Sequence, residues 1–159
     1  MSSEMFKNRK SIEQVEESTD LAPIFDKEGL LPVVTTANDS GEVLMVGFMN
    51  CEALSLTIKT GQAHYWSRSR QKIWRKGDIS GFVQQVQEIR IDDDQDSIWL
   101  SVNVKGGGAS CHVGYRSCFY RSIPFGKNAS TSPELNFVDT TKIFDPKEVY
   151  GDLPNPTRI

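Results

Sequence analysis

The chain has 159 residues, of which 38% are hydrophobic and 25% are charged, and its formal net charge is −3. This size and composition predict one globular domain with a core large enough to fold alone. No apolar stretch is long enough to cross a membrane, the N-terminus lacks an apolar signal segment, and the mildly acidic charge disfavours general nucleic-acid binding. Three cysteines disfavour a closed disulfide framework and favour free or metal-bound thiols in a reducing cytoplasm.

The first part of the chain combines a polar arm with two apolar segments. Residues 1–27 begin as a polar, weakly periodic stretch, which predicts an N-terminal arm that is either a short helix or loosely packed. Residues 31–37 and 43–48 are apolar and rich in β-forming residues, and turn residues at 38–41 separate them. This pattern predicts a β-hairpin.

A short helix and three strands are expected after the hairpin. Asn50 is typical of a helix N-cap, and Gly61 is typical of the glycine that ends a helix. Residues 63–66 and 82–91 predict strands on either side of a basic loop. Residues 97–104 alternate apolar and polar side chains, which predicts a strand with one buried face.

The last part of the chain contains a cysteine-bearing segment and a polar extension. Residues 111–118 are expected to form a short helix or a turn, and residues 119–123 a last strand. From residue 124 the chain is rich in Asn, Ser, Thr and Pro, so residues 124–159 are interpreted as a C-terminal extension. The central domain is therefore predicted to span residues 28–123.

A local basic segment stands out in this mildly acidic protein. Within residues 67–78, five basic side chains face a single acidic one, Asp78, and small residues separate them. The five are Arg68, Arg70, Lys72, Arg75 and Lys76. Arginine offers a planar fork of donors, and glycine lets backbone N–H groups approach a ligand closely. The segment therefore predicts a binding site for a small phosphorylated molecule.

Three aspartates at a spacing of two residues form a candidate cation site. On an extended chain, Asp92, Asp94 and Asp96 would point to one face and Asp93 to the other. Convergent carboxylates suit a hard cation such as Mg²⁺. An EF-hand loop does not fit, because Ser97 stands where that loop needs glycine. A solvated acidic turn is the simpler alternative, and the pattern leaves both open.

Cys111 and Cys118 form a candidate zinc site with His112 beside them. Their separation of seven residues would be two turns of a helix, so both thiolates could face one side. Burial as small apolar side chains is the alternative for both cysteines, and packing is the expectation for Cys51. His64 is a second candidate catalytic histidine, with a structural role in a strand as its alternative.

Taken together, these segments resemble the phosphoribosyl-AMP cyclohydrolases, the histidine-pathway enzymes that open the purine ring of phosphoribosyl-AMP. The resemblance covers residues 28–121, and the Ser-Arg-Ser-Arg and Trp-Arg-Lys-Gly segments are its most specific part. The matching residues are Gly29-Leu30-Leu31-Pro32, Gly41-Glu42-Val43-Leu44-Met45, Phe48-Met49-Asn50, His64-Tyr65-Trp66-Ser67-Arg68-Ser69-Arg70, Trp74-Arg75-Lys76-Gly77, Ser80-Gly81, Asp92, Asp94, Asp96, Cys111-His112 and Ser117-Cys118-Phe119.

The resemblance implies a fold, an assembly and two metal sites. The implied fold is α+β, a bent antiparallel sheet with short helices, and the implied assembly is an intertwined homodimer. Mg²⁺ would be bound by the three aspartates at positions 92, 94 and 96. Zn²⁺ would be bound by Cys111 and Cys118 of one subunit and by the residue at position 93 of the other.

The resemblance also implies a hydrolytic reaction on a phosphorylated nucleotide. The residues implied in substrate binding are Arg68, Arg70, Trp74, Arg75, Lys76 and Ser80. His112 or His64 would transfer protons while water attacks C6 of the purine and the N1–C6 bond opens.

Two positions depart from the family pattern. Family members have Cys where this chain has Asp93, and His where it has Phe82. A carboxylate can still bind zinc, although with a different affinity, whereas a phenyl ring cannot transfer a proton. Because of these two departures, two alternatives to ring opening of phosphoribosyl-AMP remain open. One is a related enzyme acting on another purine-like nucleotide, and the other is a nucleotide-binding protein with a decayed zinc site.

Overall fold

The computed structural model describes residues 5–159, so the first four residues of the predicted N-terminal arm lie outside it. Short helices and strands follow one another along the described chain. They are α1 (Ile12–Glu17), β1 (Leu31–Ala37), β2 (Val43–Met49), α2 (Cys51–Thr60), β3 (His64–Ser67), β4 (Lys72–Arg75), β5 (Gln84–Ile91), β6 (Ile98–Val104), β7 (Arg121–Ser122), β8 (Asn136–Phe137) and α3 (Pro146–Tyr150), with a 3₁₀ turn at Gly126–Asn128.

A bent four-stranded sheet in the order β2-β1-β6-β5 forms the centre of the molecule. Its two outer pairs are antiparallel, but β1 and β6 are parallel. The prediction of a purely antiparallel sheet is therefore wrong at this pair, because a long crossover through α2 and four further strands joins β1 to β6. Register shifts at Thr35–Thr36 and Val86–Glu88 are consistent with the bend.

The core lies between one face of this sheet and α2. Along β6, Ile98, Leu100 and Val102 are buried, which confirms the predicted alternation. Leu54 of α2 and Tyr65 of β3 pack into the same core cluster. Burial of these large side chains supplies the main stabilisation of the fold.

The first hairpin and the helix follow the sequence closely. β1 and β2 pair as predicted from the turn between them. The Asn50 side chain accepts a hydrogen bond from the Ala53 N–H at 2.8 Å, so it is the N-cap of α2. Gly61 ends α2 in the left-handed conformation at φ 68°, and its N–H bonds to the Thr57 carbonyl oxygen.

Two segments differ from the prediction. Residues 72–75, expected within a basic loop, form β4 and pair with β3 in a second hairpin. Residues 111–118, expected as a short helix or a turn, form an irregular loop with a turn at its start and no helix, so the turn is the alternative that holds. The strand expected over residues 119–123 is reduced to the two residues of β7.

Both terminal segments pack on the central domain. The N-terminal arm contains the short helix α1, as predicted, and joins the sheet through Gln95. The C-terminal extension adds β8, which pairs with β7, and α3, which lies beside the cleft described below. Among the described residues, no helix has the length and apolarity needed to span a membrane.

Candidate active site

A wide cleft lies between the β3–β4 hairpin, the cysteine loop (residues 110–118) and the C-terminal segment (residues 146–158). Its volume is about 1790 Å³, which exceeds that of usual small-molecule sites. Six cationic side chains line the cleft against one acidic side chain, that of Glu28. The six are Arg68, Arg70, Lys72, Lys76, Lys147 and Arg158. The excess of positive charge suits an anionic ligand.

The β3–β4 hairpin divides the predicted residues between two faces. Lys72, Trp74 and Lys76 line the cleft, whereas Ile73 and Arg75 do not. This is the alternation that an extended strand imposes. The cleft-facing residues of β4 and the residue that follows it are therefore two cations and one aromatic ring.

His64 and Arg75 lie opposite each other in the register and away from the cleft. The His64 Nδ1 atom lies 2.8 Å from the Gln62 carbonyl oxygen. Arg75 donates to the Gln62 side chain at 2.9 Å and to the Asp78 carboxylate at 2.7 Å. Within one chain, the structure thus does not bring these two predicted site residues to the other candidates.

Lys76 is the most deeply placed cation of the cleft, with 7% of its surface exposed. Its Nζ donates a 2.6 Å hydrogen bond to the Ser110 carbonyl oxygen and lies 5.0 Å from the centre of the Trp74 ring. Burial lowers the pKa of the Lys76 ammonium, while charge on Cys118 and Cys111 acts in the opposite direction. This position joins the hairpin to the cysteine loop.

Gly77 is required by the turn that follows Lys76. Its φ is +93°, and a Cβ atom there would lie 2.5 Å from the backbone nitrogen of Val83. Only glycine accepts both the conformation and the close approach. The next turn brings Ser80 to the cleft, where its hydroxyl also accepts a hydrogen bond from the Phe82 N–H at 3.2 Å.

The tip of the hairpin carries Arg68 and Arg70, both exposed. The Arg68 guanidinium lies 4.1 Å from the centre of the Phe48 ring, which orients it by a cation–π contact. The Ser67 hydroxyl accepts a hydrogen bond from the Arg70 N–H at 3.3 Å. Among residues 5–159, neither arginine forms a salt bridge, so both guanidinium groups can bind an external anion.

A chain of buried polar side chains, not predicted from the sequence, supports the cleft from below. The Tyr65 hydroxyl lies 2.7 Å from the Thr35 hydroxyl and donates to the Gln84 side chain at 2.6 Å. Gln84 in turn donates to the Ser110 hydroxyl at 3.2 Å. These residues differ in spacing and type, so no sequence pattern signals them. They fix Ser110, whose carbonyl oxygen accepts the bond from Lys76.

The cysteine loop is held closed by backbone bonds at its ends. The Ser110 N–H donates to the Arg116 carbonyl oxygen at 3.0 Å, and the Cys118 N–H donates to Leu44 of β2 at 2.8 Å. The Ser117 hydroxyl donates to the Val43 carbonyl oxygen at 2.6 Å. A loop fixed in this way brings both cysteines together without the helix that their spacing suggested.

The side chains of Cys111 and Cys118 are hydrogen-bonded to each other. This bond, with backbone donors from Val113 and Tyr115, lowers the pKa of Cys111 to about 6 against the opposing effect of burial. The same pairing raises the pKa of Cys118, which keeps the shared proton. Two adjacent sulfurs, one of them easily ionised, fit a zinc ion better than a hard cation.

His112 lines the cleft beside the two cysteines. Burial lowers the pKa of its imidazole, the nearby Lys76 charge acts in the same direction, and a hydrogen bond with Asn155 opposes both. Its Nε2 lies 3.5 Å from the Thr157 hydroxyl. A neutral imidazole in this position can accept a proton at neutral pH.

Asp92, Asp94 and Asp96 converge as predicted, with one carboxylate oxygen of each within 4.8 Å of the others. Burial alone would raise the pKa of Asp92, but hydrogen bonds from the Asp96 and Ser97 N–H groups lower it. Desolvation and the neighbouring Asp96 and Asp92 carboxylates raise the pKa of Asp94. Three carboxylates that repel one another offer hard oxygen ligands, which suit a cation such as Mg²⁺.

The two departures from the family pattern have different surroundings. Asp93 is exposed, and among residues 5–159 no third potential ligand converges with Cys111 and Cys118. Phe82 packs against Phe144 of the C-terminal extension, with ring centres 5.1 Å apart. The residue that replaces the family histidine therefore forms an aromatic contact with the extension.

Comparison with known proteins agrees with this geometry. Residues 45–120 match the family model described as phosphoribosyl-AMP cyclohydrolase. A phosphoribosyl-AMP cyclohydrolase of Rhizobium leguminosarum bv. trifolii is 53% identical over 137 residues, which are 86% of this chain and 89% of that protein. The corresponding protein of Rhodopseudomonas palustris strain BisB18 is 52% identical over 140 residues, 88% of this chain and 93% of the relative.

The chain belongs to the phosphoribosyl-AMP cyclohydrolase family. The family predicted from the sequence motifs is thereby confirmed. In this phosphoribosyl-AMP cyclohydrolase family member, the matched segment contains the β3–β4 hairpin, the three aspartates and the cysteine loop. The C-terminal segment that completes the cleft lies beyond the matched residues.

Proposed function

We propose that this protein hydrolyses the N1–C6 bond of phosphoribosyl-AMP in histidine biosynthesis. The observation that carries the proposal is the cleft itself. The exposed arginines Arg68 and Arg70 line it together with His112 and Cys118, and buried Lys76 donates to the Ser110 carbonyl oxygen of the cysteine loop. Family membership supplies the substrate that fits this arrangement.

The reaction needs a proton acceptor, a held phosphate and access for water. Substitution at N1 makes the purine ring cationic, so C6 is electrophilic. Water adds its oxygen to C6, the N1–C6 bond breaks, N1 keeps the bonding electron pair, and the water oxygen becomes the oxygen of a carboxamide. The water gives up both of its protons: His112 accepts one and returns it to N1, and the other, which carries the positive charge of the substrate ring, is released to solvent. Arg68 and Arg70 hold a phosphate and thereby fix the ring.

We assign zinc to Cys111 and Cys118, with Asp93 of the partner subunit as third ligand. Zinc bound there would act as a Lewis acid that makes water more acidic. The support for a ligand from a second subunit is that the two sulfurs have no third converging partner among residues 5–159 of one chain. The three aspartates would hold Mg²⁺.

The proposed assembly is the intertwined homodimer implied by the family. Several large apolar side chains on and beside β7 and β8 are exposed in the single chain, among them Phe119, Ile123, Phe125, Phe137 and Val138. A monomer that exposes such a patch has an apolar surface that a partner would cover. The three free cysteines support a reducing compartment, and we propose the cytoplasm.

The direct test is turnover of phosphoribosyl-AMP by the purified protein supplied with Zn²⁺ and Mg²⁺, followed by the absorbance change of ring opening. We expect turnover of phosphoribosyl-AMP and none of AMP, because AMP lacks the N1 substituent that activates C6. Binding of phosphoribosyl-AMP without turnover would contradict the enzymatic proposal and favour the decayed-site alternative.

A further inference from the structure

The C-terminal segment, residues 146–158, forms one wall of the cleft and lies outside the part matched by the family model. Its residues share the cleft with groups already assigned to the site. Tyr150 lines the cleft together with Ser80, and the Thr157 hydroxyl lies 3.5 Å from the His112 Nε2. The segment therefore closes the cleft opposite the β3–β4 hairpin.

An aromatic cluster and one backbone bond anchor this wall. The Phe144 ring centre lies 5.1 Å from that of Phe82 and 6.0 Å from that of Tyr150. The Ile143 N–H donates to the Gly114 carbonyl oxygen of the cysteine loop at 2.7 Å. These contacts attach the extension to two loops of the site at the point where it enters the cleft.

The wall carries its own positive charge. Lys147 and Arg158 both line the cleft and, within residues 5–159, neither forms a salt bridge. The hairpin carries Arg68 and Arg70 as a separate pair. Arg70 of the hairpin and Tyr150 of the segment line the same cleft, so the hairpin and the segment contribute separate walls to it.

We propose that Lys147 and Arg158 form a second phosphate-binding cluster, distinct from the one on the hairpin. The proposal rests on the proposed function, because phosphoribosyl-AMP carries two phosphate groups, one on AMP and one on the N1 phosphoribosyl group. A cation pair on each wall gives each phosphate its own partner and holds the purine ring between them. The C-terminal segment thus selects nucleotides with a second phosphate.

The test compares Lys147→Ala/Arg158→Ala with Lys59→Ala/Lys127→Ala, a control that removes two exposed charges outside the cleft. Loss of a charge-assisted contact lowers affinity by about 10–100-fold. We therefore expect the KM for phosphoribosyl-AMP to rise by about that factor in the first variant, with kcat within about twofold of wild type. The control variant should match wild type in both constants.

Calorimetric titration of the full-length protein with AMP and, separately, with ribose 5-phosphate decides the assignment independently of turnover. The cleft variant should bind one of these monophosphates about tenfold or more weakly and the other as wild type does. Unchanged affinity of the variant for both AMP and ribose 5-phosphate would refute the proposal that Lys147 and Arg158 bind a phosphate. The absence of binding of either ligand to the wild-type protein would also refute it. Absence of wild-type turnover would refute the proposed function alone, because the titrations still report on Lys147 and Arg158.

Discussion

Lys76 connects the anion-binding hairpin to the cysteine loop through a single side chain. Its ammonium is buried against Trp74 and donates to the Ser110 carbonyl oxygen. Buried lysines are rare unless they are paired or functional, so we propose that this charge also contacts the substrate. Lys76 lines the cleft together with Arg68, Arg70 and His112.

Replacing Lys76 with Met should lower kcat/KM for phosphoribosyl-AMP by about 10–100-fold, because a hydrogen bond to a charged donor is lost. The matched control is Lys72→Met, which removes an exposed cation from the same face of β4. Steady-state kinetics with thermal unfolding of each variant make the measurement. Equal effects of the two changes would show that burial gives Lys76 no special role.

The cysteines offer a second test at the same scale. The Cys111→Ser/Cys118→Ser variant should purify without a transition metal, because two of the three proposed ligands are lost. Cys51→Ser is the control, since Cys51 lies on α2 outside the cleft. Elemental analysis of the three proteins is the measurement. Equal zinc in wild type and the double variant would mean that the metal binds elsewhere.

The complementary change, Asp93→Cys, should strengthen zinc binding by about 10–100-fold, because a thiolate is a softer ligand than a carboxylate. Competition with a chelator measures this. An unchanged zinc affinity would show that Asp93 is not a zinc ligand.

Residue types and their order were enough to predict the three aspartates, the cysteine pair and most of the basic segment. His64 and Arg75 lie opposite each other and away from the cleft. For Arg75 this could not be predicted, because β4 was expected to be a loop. For His64 the strand was predicted, but the sequence did not show which of its faces borders the cleft. No sequence motif marks Lys147 and Arg158 as residues of the cleft. They belong to a polar extension, distant in sequence, that only tertiary packing brings there.

At the scale of elements, Gln95 links the N-terminal arm to the aspartate loop. It adopts φ 59°, and its buried side chain accepts from the Ala22 N–H at 2.8 Å and donates to the Val15 carbonyl oxygen at 2.9 Å. Its backbone carbonyl oxygen accepts from the Ile24 N–H at 2.9 Å. Gln95 therefore orders α1 and the aspartate loop together.

We expect Gln95→Ala to lower the free energy of unfolding by about 2 kcal/mol, because buried backbone groups of the arm lose their partners. The amides of Ala22 and Val15 should exchange faster with solvent. Gln87→Ala, on an exposed position of β5, is the control and should change neither quantity. Unaltered amide exchange in the arm would show that Gln95 does not anchor it.

The elements themselves differed in how well local sequence determined them. The first hairpin, α2 and β6 follow from turns, caps and alternation, which are local signals. β4 was not predicted, because a basic residue lies on each of its faces and the strand therefore lacks the alternation of polar and apolar residues. The parallel pairing of β1 with β6 depends on a long crossover, and no local pattern encodes it.

At the scale of the whole molecule, the exposed apolar patch around β7 and β8 and the incomplete sulfur site both favour two subunits. Sedimentation equilibrium at micromolar protein should give twice the chain mass. Phe137→Glu, which places a charge in the patch, should shift the distribution toward monomer and lower zinc content together. A monomer that binds zinc and nucleotide normally would contradict the shared site.

The proposed reaction of this cleft is the addition of water across the N1–C6 bond of phosphoribosyl-AMP. The most direct measurement is mass spectrometry of the product after turnover in ¹⁸O-labelled water, with Zn²⁺ and Mg²⁺ present. We expect one labelled oxygen per product molecule, located in the new carboxamide group. A product without label, or no product from protein that holds both metals and the nucleotide, would contradict it.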